Sequence, residues 1–114
     1  MAGDRSAIAQ LRKGVLEYCV LALLATEERY GYDLVTGLAD AGLTVTEGTV
    51  YPLLARLRKE GLVETEWRES DSGPPRKYYR ATPSGLDQLA EFRRSWSAFR
   101  THVDALLERT KGQQ

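Results

Sequence analysis

Basic residues without acidic neighbours mark the part of this sequence that could do chemistry. Residues 72–80 contain three basic residues and no acid: Arg76, Lys77 and Arg80. Two more long cationic side chains, Arg56 and Lys59, lie on one side of a predicted helix. Clustered Lys and Arg side chains bind the phosphates of nucleic acids. The chain as a whole is neutral, with 16 Lys+Arg and 16 Asp+Glu, so the case for nucleic acid depends on this uneven distribution.

Other kinds of chemistry are not expected from this composition. One Cys and one His cannot form an intrachain disulfide or supply the four ligands of a structural zinc site. We find no nucleophile paired with a base, no carboxylate pair and no glycine-rich phosphate loop, so we predict no catalysis, metal or cofactor. The longest apolar run, Val15 to Ala25, carries Glu17 and is about half of the ~20 residues that a membrane span needs. With no signal peptide pattern at its start, the chain is expected in the cytoplasm.

Three helices are predicted before any strand. The first covers residues 10 to about 28 and is apolar nearly all round, which indicates that one of its faces meets a partner. The second runs from Gly31 to Gly42, and the third ends at Gly61, because glycine is a common helix stop. Thr46 or Thr49 is the predicted N-cap of the third helix. The sequence leaves its start open, because Pro52 is tolerated only within the first turn.

The spacing of apolar residues changes after Gly61. Val63, Thr65 and Trp67 alternate with polar residues, which predicts a strand. A second strand is predicted at residues 77–81, after a Gly-Pro-Pro turn, giving a hairpin with a long tip of eight residues. Thr82 followed by proline is a helix start, and this last helix can continue to about residue 108.

The last helix carries an apolar seam with spacings of three and four residues. Its members are Leu89, Phe92, Trp96, Phe99, Val103 and Leu106. Such a row is typical of helices that pair with another helix. At 1.5 Å per residue the helix is roughly 39 Å long, more than so small a domain can cover by itself. We therefore expect a homodimer.

This order of elements predicts a winged helix-turn-helix, a mainly α fold (α+β) with a two-stranded wing and a long C-terminal dimerisation helix. The predicted parts are a flexible N-terminal arm (1–9), a DNA-binding domain (10–81), the dimerisation helix (82–109) and a tail (110–114). In such modules the third helix enters the DNA major groove, and the wing lies along the backbone or minor groove. Double-stranded DNA is the expected partner.

Four motifs in this order resemble the PadR family of transcription regulators. They are YGYDL at residues 30–34, EGTVYPLLARL at 47–57, EGLV at 60–63 and RKYYRAT at 76–82. The resemblance implies a homodimeric repressor of an inverted-repeat operator, often released by a small molecule. In some relatives an aromatic residue on the last helix lines a ligand pore between the subunits, and Trp96 is similarly placed.

Each candidate residue has a predicted role. The predicted DNA contacts are Thr46, Thr49, Tyr51, Arg56, Lys59, Arg76, Lys77 and Arg80. Arg56 and Lys59 are the long hydrogen-bonding side chains on the outward face of the third helix, so base readout should be modest. Thr49 and Tyr51 are expected on phosphates. Arg76, close to the hairpin turn, is suited to a narrow minor groove.

Two alternatives stay open at this point. Trp96 and Phe99 are either packing residues of the seam or the walls of an aromatic slot for a planar or hydrophobic effector. The protein is either a DNA-binding regulator or a winged-helix protein-interaction module without DNA binding. The neutral overall charge and the small outward face of the third helix keep the second function open. The strand also turns one of Tyr78 and Tyr79 inward, without indicating which one.

Overall fold

The structure is a computed structural model that describes residues 7–113. Its elements are α1 (Ala7–Thr26), β1 (Arg29–Tyr30), α2 (Gly31–Asp40), α3 (Glu47–Lys59), β2 (Val63–Ser70), β3 (Gly73–Ala81), α4 (Pro83–Arg109) and a short 3-10 helix (Lys111–Gln113). The predicted winged helix-turn-helix and long C-terminal helix are confirmed. Of the predicted arm, residues 1–6 lie outside the described residues, and residues 7–9 begin α1. Among the described helices, none combines the length and the hydropathy that a membrane span requires.

A single apolar core joins the helices to the sheet. It consists of Leu16, Val20, Leu21, Leu24, Leu34, Leu38, Val50, Leu54, Leu57, Leu62, Val63, Tyr79 and Leu89. The predicted inward row of α3, Val50, Leu54 and Leu57, is fully buried. On α1, by contrast, Ile8 and Leu11 are exposed, so the N-terminal half of this apolar helix is left uncovered within the described chain.

The wing belongs to a sheet of three antiparallel strands, in the order β1-β3-β2. The prediction of a two-stranded wing missed β1, because two residues are too few to show a period. The eight-residue tip was also wrong: Ser70 pairs with Gly73, so the turn is only two residues long. The two prolines after Gly73 are tolerated in β3 because β1 pairs only with Tyr78 and Tyr79, which leaves that edge of the strand open.

Thr46 marks the start of α3 as its N-cap residue. Its carbonyl oxygen accepts hydrogen bonds from the amides of Thr49 and Val50, both at 3.1 Å. Because α3 begins at Glu47, Pro52 lies beyond the first turn, where proline removes one backbone hydrogen bond. Both Pro52 and Gly48, four residues earlier, are exposed, so water can reach the carbonyl that loses its partner.

The start of α4 is attached to the end of α3. The hydroxyl of Thr82 accepts a hydrogen bond from the amide of Gly85 at 3.1 Å and donates one to the carbonyl of Gly61 at 2.6 Å. Gly85 is buried, and a Cβ atom there would overlap the carbonyl oxygen of Leu62. The base of the long helix is therefore part of the same packed unit as the third helix.

The predicted seam on α4 divides into two parts. Leu89 is only 8% exposed and packs in the core of its own chain, so little of its surface is left for a second helix. The ring of Phe92 stacks on Tyr18 of α1, with centroids 4.0 Å apart. Further along, Phe99 is 58% and Leu106 59% exposed. Uncovered apolar surface on α4 is thus concentrated in its C-terminal half.

Candidate nucleic-acid interface

The exposed side of α3 begins with small and hydroxyl-bearing residues. Thr46 and Thr49 are exposed, and their hydroxyl oxygens lie 3.4 Å apart. Tyr51, Pro52 and Ala55 continue the surface toward Lys59. Four of the predicted DNA contacts, Thr46, Thr49, Tyr51 and Lys59, are therefore on accessible surface of this helix.

The ring of Tyr51 packs directly against Gly31, the first residue of α2. A Cβ atom at position 31 would overlap the ring of Tyr51, so only glycine lets the two helices meet in this way. Tyr51 still keeps 40% of its surface exposed. Burial, and to a lesser extent the carboxylate of Glu47, raises the pKa of Tyr51. The phenol therefore stays neutral and can donate a hydrogen bond.

A groove runs between α3 and the wing, and we call it the α3–wing groove. It is lined by Tyr51, Leu54, Ala55, Arg58, Lys59, Lys77 and Tyr79. Three of these residues are cationic, and none is acidic. Within residues 7–113, Arg58, Lys59 and Lys77 form no ion pair with a carboxylate. Their charges are available to a phosphate.

Arg58 is a residue of this groove that the sequence analysis missed. It was not among the predicted DNA contacts, although it directly follows Leu57, the last residue of the inward row. Arg58 follows Tyr51 by seven residues, which is two helical turns, so the two side chains share a face. The groove lining shows the same arrangement. That spacing was visible in the sequence and could have identified Arg58.

Arg56 does not lie free on the outward face of α3. Its guanidinium donates hydrogen bonds to Glu17 of α1 at 2.7 Å and to Glu60 at 3.2 Å. These hydrogen bonds raise the pKa of Arg56. The side chain, which was predicted to read bases, instead joins α3 to α1. Exposed ion pairs of this kind contribute about 0–1 kcal/mol.

The three wing cations are separated by the alternation of the strand. Lys77 lies on the same face as Tyr79, opposite Trp67 of β2, and faces the groove. Arg80 lies on the other face, which we call the outer face, and pairs with Glu64 at 2.9 Å and Glu66 at 3.2 Å. The three residues therefore do not form one patch.

On the outer face of the wing, two of the three arginines, Arg68 and Arg80, are neutralised by glutamates, and the third is Arg76. Arg68 donates hydrogen bonds to Glu28 and Glu66, and its guanidinium lies 4.7 Å above the ring of Tyr78. Tyr79 is the inward residue of the tyrosine pair, at 7% exposure. Arg76 has no ion pair within residues 7–113, and its guanidinium lies 4.5 Å above the ring of Tyr30.

The predicted ligand residues form a row of rings on α4. The centroids of Phe92 and Trp96 are 5.8 Å apart, and those of Trp96 and Phe99 are 6.4 Å apart. Tyr18 extends the row onto α1. Trp96 is half-buried within its own chain, whereas Phe99 is exposed. Within residues 7–113, no group of three or more His, Cys, Asp and Glu side chains is placed to hold a metal ion.

Comparison with known proteins gives one consistent family. The profile of the transcriptional regulator PadR-like family matches residues 20–91. The transcriptional regulator Rv3488 of Mycobacterium tuberculosis is 37% identical over 86 residues, which cover 75% of this chain and 79% of the relative.

Solved structures agree with this assignment. A PadR-like transcriptional regulator from Bacillus cereus superimposes with a TM-score of 0.79 at 49% identity, covering 86% of this chain and 96% of the other. A PadR family transcriptional regulator from Eggerthella lenta gives a TM-score of 0.81 at 44% identity, covering 89% and 88%. The chain therefore belongs to the PadR-like family of transcriptional regulators.

Proposed function

We propose that this regulator binds duplex DNA as a homodimer and represses transcription from an inverted-repeat operator. In each subunit α3 enters the major groove, and the wing follows the adjacent backbone and minor groove. A regulator of transcription acts where the chromosome lies, so the cytoplasm is the proposed compartment. Family membership supports the regulatory role, and the α3–wing groove supports DNA as the partner.

The observation that carries the proposal is the placement of the unpaired cations. Arg58, Lys59 and Lys77 line the α3–wing groove without an acidic neighbour in its lining, and Arg76 lies on the same hairpin. The acidic residues that balance the charge of the chain lie largely outside the groove. On the outer face, for example, glutamates pair with Arg68 and Arg80. A local positive surface is sufficient to bind phosphates.

We assign different roles to the individual contacts. Thr46, Thr49 and Tyr51 donate hydrogen bonds to phosphates at the start of α3, and Arg58, Lys59 and Lys77 neutralise phosphates along the groove. Arg76 reaches the minor groove from the wing. Arg56 forms an ion pair with Glu17 of α1, so we assign it the role of positioning α3 against α1. Arg80 can contact DNA only after its ion pairs with Glu64 and Glu66 break. We therefore assign it no direct contact.

The dimer is proposed to form through α4. Phe99, Leu106 and Leu107 are all more than half exposed, and a helix with such a face is stabilised by a second helix. Sedimentation of the protein and of Phe99→Glu with Leu106→Glu tests this. The parent chain should be dimeric and the variant monomeric; a stable parent monomer at working concentration would remove the proposal.

An effector site is proposed where the two copies of α4 meet. Trp96 and Phe99 would supply aromatic faces for a planar or hydrophobic molecule. Titration with a panel of such compounds should change the emission of Trp96 in the intact dimer. Constant emission across the panel would leave both residues as packing residues.

Selection of duplexes from a random pool, followed by salt titration, tests the function itself. With about six phosphates neutralised by cations per dimer, the logarithm of the affinity should fall with the logarithm of salt concentration with a slope of about −5. Footprints should show two half-sites about one helical turn, ~34 Å, apart. No binding at low salt would favour the alternative function, a protein-interaction module.

A further inference from the structure

Three exposed aromatic side chains line the junction of α2, α3 and the wing. Trp67 is 66%, Tyr32 56% and Tyr51 40% exposed. We call these three residues the wing aromatic surface. They line one shallow cavity of about 320 Å³, together with Tyr30, Gly31, Arg76, Lys77 and Tyr79. Contiguous exposed apolar surface of this kind marks an interaction site.

The fold explains how Trp67 comes to be exposed. Val63, Thr65 and Trp67 share one face of β2, and the first of them is buried in the core. Trp67 lies further along the strand toward the turn, where the helices no longer cover it. Its cross-strand neighbour is Lys77, whose ammonium lies 5.7 Å from the indole ring. A tryptophan in this place does little for the stability of the core.

The charge of the lining limits what can bind there. The charged residues that line the cavity are Arg76 and Lys77, and no carboxylate contributes to it. The cavity is also continuous with the α3–wing groove, because Tyr51, Lys77 and Tyr79 line both. A partner that combines apolar C–H surface with negative charge at close spacing fits these features. The sugar–phosphate strand of DNA has that chemistry.

We propose that the wing aromatic surface packs against the deoxyribose groups of the DNA strand that separates the groove contacted by α3 from the groove contacted by the wing. Lys77 neutralises a flanking phosphate, and Arg76 enters the minor groove beside it. This inference rests on the proposed function and adds Trp67 and Tyr32 to the interface. It also assigns part of the affinity to apolar contact, which releases no counterions and is therefore insensitive to salt.

The test uses the full-length protein with Trp96→Phe, which leaves Trp67 as the sole tryptophan, since the chain has two. On titration with a selected duplex, or with random-sequence duplex at low salt, the emission of Trp67 should change, and the indole should become protected from acrylamide. In the otherwise unchanged chain, Trp67→Leu should lower affinity about tenfold with an unchanged salt slope.

Lys77→Gln is the matched control, since it alters the neighbour of Trp67 across the strands. It should reduce the salt slope by about 0.9 for each phosphate that is no longer neutralised. Thermal unfolding should show that Trp67→Leu is folded, because the side chain is largely exposed. A Trp67→Leu variant whose salt slope falls as much as that of Lys77→Gln would overturn the proposal, since Trp67 would then only position the lysine.

Two further outcomes separate this inference from the proposed function. If the Trp96→Phe protein binds DNA while Trp67 stays accessible and Trp67→Leu binds equally well, the inference fails and the function stands. The surface would then serve a partner other than DNA. If the parent chain binds no duplex at low salt, the proposed function fails, and the inference falls with it.

Discussion

The two faces of the wing hairpin use the same residue types in opposite ways. On the face toward α3, Lys77 has no carboxylate partner within residues 7–113 and lines the same groove as Arg58 of the helix. On the outer face, Arg68 and Arg80 share Glu28 and Glu66, and Arg80 also pairs with Glu64. A count of charges along the sequence treats these cations alike. The charge that a partner meets depends instead on cross-strand pairing, which alternates with every residue.

The largest expected effect comes from reversing charge on the groove side. Arg58→Glu with Lys77→Glu should lower affinity for duplex DNA by about a hundredfold or more at low salt, because four phosphate contacts per dimer become repulsive. Titration by fluorescence anisotropy measures it. Arg80→Gln is the matched control on the outer face and should change affinity less than about threefold. Equal losses in both variants would abolish the distinction between the faces.

A smaller effect is expected at Gly31, which positions Tyr51 beside the groove. In Gly31→Ala the new methyl group displaces the ring of Tyr51, so DNA affinity should fall about tenfold. Stability should change by less than about 1 kcal/mol, since alanine favours the helix and the ring can rotate away.

Gly85→Ala is the contrasting variant, because there the methyl group meets the backbone carbonyl of Leu62, which cannot move aside. It should cost about 1–3 kcal/mol of unfolding free energy, measured by urea denaturation. If Gly31→Ala is the less stable of the two and binds DNA normally, Tyr51 is a packing residue only.

Arg56 extends the contrast between paired and unpaired cations to α3 itself. Arg56→Gln should lower stability by about 0.5–1 kcal/mol through loss of the Glu17 pair and leave the salt slope unchanged. A double-mutant cycle with Glu17→Gln should give a coupling free energy of similar size. A relaxed sequence preference in selected duplexes, with no coupling to Glu17, would instead show that Arg56 reads bases.

The smallest effect concerns acid stability of the outer face. Hydrogen bonds from Arg80, and next from Arg68, lower the pKa of Glu66 below its ordinary value of 4.5. The stabilisation is therefore complete above about pH 4.5 and is lost as the pH falls through the lower pKa of the folded state. Because Glu66 is exposed, the change in unfolding temperature should be small. It should be absent in Glu66→Gln, and an equal acid response in that variant would contradict this origin.

Local rules in the sequence predicted much of the fold. Gly42 and Gly61 end their helices with φ of 94° and 80°, the left-handed region that glycine tolerates. Thr82 caps α4 as its type and the following proline indicate. The two-residue turn of the wing was missed, because prolines argue against a strand unless one of its edges is open, and the sequence does not show which edges are open.

The candidate site was less predictable than the fold. The orientation of Arg56 depends on Glu17, which is 39 residues away in sequence, and no periodicity records such a pairing. Alternation did predict that Trp67 shares a face with Val63, but exposure of the ring depends on where the helices end. Arg58, in contrast, was recognisable from its spacing to Tyr51.

The tight contact between Gly85 and the carbonyl of Leu62 has a consequence for how a dimer of this chain could respond to a signal. Since this joint has no free space, the base of α4 cannot swivel independently of the segment that ends α3. Any change in the crossing angle between two paired copies of α4 must be delivered as a rigid-body displacement of each winged unit. The distance between the two copies of α3 would then be set by the angle at which the two α4 helices cross.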